Sequence, residues 1–301
     1  MQENLRLIDL LLKYCTKKNQ RNLDLFLNNF MTSFKTKKIL VCYLFTKFDN
    51  KLALLNFARN YKRYNSGYKH SLLICFKLMN SIQIRFFKSI LSDIEYIEYI
   101  DSSKLNDYDF GSYMRVAQNY PSFTILFLNS HSYPVSNNWL KKMLFHYKNK
   151  TLIATTASYE SLSTSLRLKK FYKFFSYLYK LIKYKKKFNP FPNPHIRTTS
   201  FLIKGSDFIL FVKGKKFSNK EDAWSAESGI NGMTNFFIKK KFNIYVVNSD
   251  GKKFIKNEWK FSETYNYALQ SKTLISDNHT RKYLKLSGSE RLIASYNSWG
   301  H

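Results

Sequence analysis

ILFLNSHSYPVSNNWL, residues 125 to 140, sets an unbroken apolar run against four small polar residues, a proline and the start of a helix. Ile125 to Leu128 shows no polar alternation, the pattern of a strand covered on both faces, as in a parallel α/β sheet. Ligands of open α/β sheets bind just beyond the carboxyl ends of the strands, so Asn129-Ser130-His131-Ser132 stands where a site is expected.

Similar runs recur on both sides of this stretch. ILVCYLF (39–45) and SLLICFKL (71–78) read as further buried strands, and YIEYI (96–100) as a shorter one. Helical spacing separates them at 54–64, 82–91 and 112–119. After the opening stretch, Trp139, Leu140, Met143, Leu144 and Tyr147 share one helical face, with Ser136 or Asn137 as the cap. TLIATTASYES (151–161) reads as a short strand leaving a polar loop. Between residues 166 and 188, Lys169, Lys173, Lys180, Lys183 and Lys187 line one helical stripe, while Phe171, Phe174, Phe175, Leu178, Leu181 and Ile182 line another. NPFPNP (189–194) stops that helix, because proline lacks the backbone donor a helix needs. HIRTTSFLIKGSDF (195–208) and the segment from KEDAWSAESG (220–229) to Val247 then give strand, acidic turn, helix and strand. The loops after Phe45, Leu128, Ala154 and Ile203 are the expected ligand loops.

The 301 residues are enough to bury a substantial core. Fifty Lys and Arg against 20 Asp and Glu give a formal charge of +30, which favours anionic partners, although the codon bias of an AT-rich genome also enriches lysine. Cys15, Cys42 and Cys75 have no CxxC spacing and read as small hydrophobes of a reducing compartment. MQENLRLIDLLLKYC lacks a basic leader region and a small-residue cleavage site, and no apolar stretch approaches the roughly 20 residues that span a bilayer. A cytoplasmic location follows, at the inner face of the cell membrane if the basic helix binds lipid. Patterns GxxxxGK[ST], GxGxxG, HExxH and GxSxG do not occur, which argues against P-loop, dinucleotide-binding, zincin and α/β-hydrolase chemistry.

The string DYDFGSYMRVAQNYPSFTILFLNSHSYPVSNNWLKKML (107–144) resembles the middle of GT-A-fold glycosyltransferases of the family 2 type, and its DFGSY element is similar to the rhamnan-synthesis class of bacterial polysaccharide glycosyltransferases. The resemblance spans about residues 38 to 250. It implies a GT-A-like, Rossmann-like α/β fold with a mainly parallel sheet flanked by helices and with N-terminal and mid-chain helical additions. It divides the chain into an N-terminal helical segment (1–35), a donor half (36–150), a loop and basic helix (151–190), and an acceptor half with tail (191–301).

The resemblance further implies a nucleotide-sugar donor, a glycan or lipid-linked glycan acceptor in surface-polysaccharide synthesis, and inversion at the anomeric carbon. In KEDAWSAESG, the acidic pair matches the family's catalytic base, with Asp222 first and Glu221 second. Donor contacts fall to Asp101, Asp109, Arg115, Asn129, His131, His195 and Arg197. Family members hold a divalent cation, Mn²⁺ or Mg²⁺, with an Asp-x-Asp after the fourth strand. Asn129 and His131 occupy those positions here, and neither brings the negative charge that a hard Mg²⁺ site prefers. Asp277, His279 and Arg281 are candidates to fold back over the site. The lysine and aromatic stripes of 166–188 suit an anionic membrane surface. No RRM, KH, zinc-finger or helix-turn-helix signature points to nucleic acid. The alternative reading is a non-catalytic GT-A-like protein that binds membrane or nucleic acid.

Overall fold

The computed structural model describes residues 38 to 300, Lys169 excepted; the expected helices of residues 1–35, Cys15 and the Lys169 position of the basic stripe lie outside the described residues. Residues Ile39–His301 form a compact unit of their own. Its first elements are β1 (Ile39–Thr46), α1 (Lys51–Arg63), β2 (Ser71–Lys77), α2 (Ser81–Lys88), β3 (Ile97–Ile100), α3 (Tyr108–Asn119), β4 (Thr124–Leu128), β5 (Tyr133–Pro134), α4 (Trp139–Phe145), β6 (Thr151–Ala154) and β7 (Ala157–Ser158). There follow α5 (Phe174–Lys187), β8 (His195–Ile196), β9 (Ser200–Lys204), α6 (Gly205–Val212), α7 (Lys220–Ser228), α8 (Met233–Lys239), β10 (Asn243–Val247), β11 (Lys253–Phe254), β12 (Ile275–Ser276), α9 (Asn278–Leu284) and α10 (Gly288–Trp299).

Eight strands form one sheet in the order β11-β10-β6-β9-β4-β1-β2-β3. β3, β2, β1 and β4 pair in parallel, as do β6 and β10, while β9 and β11 run antiparallel to their neighbours. The fold is the expected mainly parallel α/β sheet flanked by helices. Strands β1, β2, β4 and β6 carry no polar alternation because both faces are covered, whereas the edge strand β3 is largely exposed. Leu40, Cys42 and Leu44 enter one core with α3, α6 and α8; Val41, Tyr43 and Phe45 enter the other with α1, α2 and α4. Each large side chain buried this way contributes about 2 kcal/mol of transfer free energy. Cys42 and Cys75 are fully buried members of the first core.

Two expectations change. The loop after Ile203 is not at the ligand edge. β9 pairs Ser200 with Leu128 and Lys204 with Thr124, so its direction is reversed and its start, not its end, meets the carboxyl end of β4. Neither Ser136 nor Asn137 caps α4. Its N-cap is Asn138 in the left-handed region with no side-chain bond, and the first helical amides of Leu140 and Lys141 donate to the Ser66 carbonyl instead (3.1 and 3.0 Å). The Asn137 side chain is already engaged by the Asn65 amide.

Candidate functional site

A cleft of about 980 Å³ opens at the carboxyl ends of the parallel strands. Its lining comes from segments far apart in the chain: the start of α3, the loop after β4, the 160–167 loop, the start of β9, α7, the start of α9 and the end of α10.

The Asn129–Ser132 loop forms the floor, and hydrogen bonds explain its small polar residues. The Asn129 amide donates to the Thr199 carbonyl (3.1 Å), and the Asn129 Oδ1 accepts from the His131 amide (3.2 Å) and the Ser132 hydroxyl (2.7 Å). Ser130 Oγ donates to Asp49 Oδ1 (2.7 Å), while the Ser130 carbonyl accepts from the buried Tyr43 hydroxyl (2.5 Å). Both terminal nitrogens of Arg281 donate to the His131 carbonyl at 3.1 Å. His131 and Asn129 thus reach the cleft on a loop clamped from β1, β9 and α9, and the tail residues Asp277 and His279 line the same cleft. The Nε2 of His131 lies 3.4 Å from Asp49 Oδ1.

Asp101 and Arg115 do not line the cleft; they belong to a closed charge cluster beneath it. Arg115 donates to Asp101 Oδ2 (2.7 Å) and to Asp107 Oδ2 (2.5 Å), and its Nε bonds Asp101 Oδ1. The almost fully buried Lys77 donates to Asp107 Oδ1 (2.6 Å) and to the Tyr108 carbonyl. Ser112 Oγ donates to Asp101 Oδ2 (2.5 Å). Two cations and two carboxylates satisfy one another, which is the condition for burying charge. The cluster holds the 101–109 loop so that Tyr108, at φ +54°, turns Asp109 into the cleft. Burial, with the like charges of Asp49 and Glu227 and against the opposing charge of Lys77, pushes the Asp109 carboxyl up to about 6.

In α7, Asp222 serves as the reciprocal partner of the Asn219 cap. Its amide donates to Asn219 Oδ1 (3.0 Å), and its carboxylate accepts from the amides of Ser218 and Asn219 (3.0 and 3.3 Å). Glu221 faces α5, where Lys183 sits 2.6 Å away and, with Lys187, holds its carboxyl below the usual range. Neither lines the cleft. The face of α7 that does is Lys220, Ala223, Trp224, Glu227 and Ser228, the i, i+3, i+4, i+7 set of a helix. Glu227 therefore is the carboxylate this helix brings to the site. Its Oε1 accepts from the Thr198 amide (2.8 Å) and hydroxyl (3.0 Å). Sequence order drew attention to the acidic pair at the helix start; the helical spacing from Lys220 to Glu227 was the signal for the other.

His195 and Arg197 are both in the cleft wall. His195 Nδ1 lies 2.8 Å from the Asn193 carbonyl, which only accepts, so Nδ1 carries the proton and Nε2 is left for a ligand. Arg197 donates to Asp277 Oδ2 (2.7 Å) and its guanidinium lies 4.0 Å over the Tyr265 ring. Burial acts to raise the Asp277 carboxyl, but Arg197 and the Thr280 amide outweigh it and hold it low. Asp49, Glu160, Arg167 and Tyr265 are further polar or aromatic parts of this region that sequence reading did not single out.

The residues at the end of β4 do not fit a divalent cation. Asn129 Oδ1 is turned into its own loop, and Asp49 accepts from Thr46 and Ser130, leaving one carboxylate beside one imidazole. Among the described residues no three His, Cys, Asp or Glu side chains are placed to hold a metal.

No family model matches the chain, and no curated protein does. Among solved structures it is similar to the 4-diphosphocytidyl-2C-methyl-D-erythritol synthase of Anaerococcus prevotii, at 11% identity and TM-score 0.44 over 76% of this chain and 97% of that one. It is also similar to the bifunctional glycosyltransferase WbbM, at 10% identity and TM-score 0.38 over 88% of this chain and 45% of that one, so it spans less than half of that protein. The galactosyltransferase LgtC, in complex with donor and acceptor sugar analogues, matches at 9% identity and TM-score 0.39 over 70% and 73%. Likeness at this level carries no argument about activity, which has to rest on the cleft.

Proposed function

We propose that this protein is a glycosyltransferase of the hexosyltransferase type, with a GT-A-like fold, moving a sugar from a nucleotide-sugar donor to a glycan or lipid-linked glycan acceptor in bacterial surface-polysaccharide synthesis. The observation that carries the reading is the cleft itself. It lies beyond the carboxyl ends of parallel strands, and hydroxyls, imidazoles, carboxylates, the cations Arg167, Arg197 and Lys220, and aromatic rings converge in it. Aromatic faces and paired hydrogen-bonding groups suit a sugar, and Arg167 and Lys220 suit a diphosphate.

In the proposed reaction Glu227 takes the proton of the acceptor hydroxyl while that oxygen bonds to the anomeric carbon. The bond from the anomeric carbon to the diphosphate oxygen breaks, and its electron pair leaves with the nucleoside diphosphate. Attack opposite the leaving group inverts the anomeric carbon. Thr198 fixes the carboxylate, and Arg167, Lys220 and His131 balance the leaving charge, so no step is routed through a metal.

Calorimetry with UDP-, GDP- and dTDP-sugars, with and without Mn²⁺, tests the donor class; binding of none of them would sink the reading. Glu227→Gln is expected to keep donor affinity and lose transfer by roughly 100-fold or more. A second reading, a non-catalytic binding protein, draws on the self-pairing of Asp101 and Arg115, which withdraws two of the expected donor contacts. Donor binding without transfer to any glycan would favour it.

A further inference from the structure

Between residues 166 and 188 the chain has nine basic residues and no acidic one. Only Tyr184 and Phe188 of the aromatic side chains in this segment are buried. Of α5, Tyr184 is buried and Tyr177 and Leu181 are partly covered, so one face packs inward. The opposite face turns out Phe175 (83% exposed), Tyr179 (67%) and Ile182 (59%), and the turn before the helix adds Phe171 (87%) and Tyr172. This separates a stripe that looked continuous in the sequence: Leu181 belongs to the packing face, whereas Phe171, Phe175 and Ile182 face solvent.

The packing face is anchored. Glu221 of α7 pairs with Lys183 and Lys187, the Ile230 amide donates to the Lys187 carbonyl (2.9 Å), and Ser163 Oγ donates to the Asn189 carbonyl (3.0 Å). Lys180, Lys185 and Lys186 have no acidic partner among the described residues, and Lys170 and Lys173 lie over the Tyr172 ring. An apolar face bordered by unneutralised ammonium groups is unfavourable in water and matched to one environment, an acyl boundary beneath anionic head groups. Among the described residues no helix is long and apolar enough to cross a membrane.

We infer that α5 and the turn before it dock this protein on an anionic lipid surface, with Phe171, Phe175, Tyr179 and Ile182 entering the head-group region and the lysines contacting lipid phosphates. The position of the helix gives this a consequence for the site. Arg167, at one end of the segment, lines the cleft, and α7, which receives the other end, lines it with Trp224 and Glu227. Docking would hold the cleft beside the bilayer, within reach of an acceptor carried on a lipid. That last step rests on the proposed transfer; the docking itself does not.

The test is co-sedimentation of the full chain with vesicles of phosphatidylcholine alone and of phosphatidylcholine with phosphatidylglycerol, at low and high salt. Salt-sensitive binding to the anionic vesicles alone is expected. Phe175→Ser/Tyr179→Ser/Ile182→Ser, whose side chains all face outward, should weaken that binding at least roughly tenfold. Lys180→Ala/Lys185→Ala/Lys186→Ala should weaken it and reduce the salt dependence. Nucleotide-sugar binding is measured on the same preparations, so loss of donor binding and loss of vesicle binding are read separately. Absent vesicle binding, or binding unchanged in the apolar variant, overturns the inference. So does self-association lost in that variant without lipid binding, which would assign the face to a second copy, or retention of single-stranded RNA in place of vesicles.

Discussion

Asp109 titrates near the middle of the accessible pH range because the protein buries it without a bonded cation. Its folded-state value of about 6 lies above the ordinary aspartate value of 3.8, so the folded state binds its proton more tightly and this residue costs stability as pH rises from about 4 to 6. Above 6 the cost is constant, and below 4 it is absent. Asp109→Asn is therefore expected to raise unfolding free energy by roughly 1–2 kcal/mol at pH 7.5, a figure reduced for partial exposure, and to leave it unchanged at pH 4. Urea titrations at the two pH values check this; equal gains at both would exclude charge burial as the cause. Gly111 offers a steric test two residues on. A Cβ there would lie 2.0 Å from Asp107 Cγ and Oδ2, inside the cluster of Lys77 and Arg115. Gly111→Ala should cost about 3 kcal/mol by displacing that carboxylate, read as a lower denaturation midpoint at constant slope. An unchanged midpoint would mean the cluster relaxes freely.

At the scale of the element, α7 assigns different work to its three acidic residues by where each falls on the helix. Asp222 sits at the third position and caps, Glu221 faces α5, and Glu227 lies two turns after Lys220 on the cleft face. Asp222→Ala is expected to cost about 0.5–1 kcal/mol as a lost capping partner and to change transfer rate less than threefold, against the large loss expected of Glu227→Gln. A stability assay beside a transfer assay separates the two; a collapse of activity in Asp222→Ala with the fold intact would return the base to the helix start. The same comparison shows what was readable beforehand. The helix and its acidic opening were visible in KEDAWSAESG, and so was the spacing that aligns Glu227 with Lys220 and Trp224. Which helical face meets the cleft depends on packing against β8 and α8, and nothing local to these nine residues records it.

At the scale of the whole molecule, the acid groups pull in opposite directions. Burial acts to raise Asp101, Asp107 and Asp277, but hydrogen bonds and charge from Arg115, Lys77 and Arg197 outweigh it, so all three are held low. Groups of this kind stabilise above their unfolded value near 4 and lose that contribution as pH falls through their lower folded values. Asp109 behaves in the reverse sense between 4 and 6. Thermal stability is thus expected to drop steeply below about pH 4, where these pairs open in a chain already at a formal +30. A melting series from pH 7 to 2.5 checks it; a flat profile below pH 4 would mean that the ion pairs contribute nothing net.

The sequence by itself determined the long strands and pointed to the end of β4 as the place to look for a site. A strand covered on both faces is apolar along most of its length, so β1, β2, β4 and β6 are written locally, and the polar residues that close β4 mark where the apolar run stops. Only the tertiary structure decided the direction of β9, the closure of Arg115 on Asp101 and Asp107, the clamp of Arg281 on the His131 carbonyl, and the outward turn of the aromatic face of α5. Each depends on which distant groups meet, and a charge or an aromatic ring has the same local signature whether its partner is another residue, a ligand or a surface.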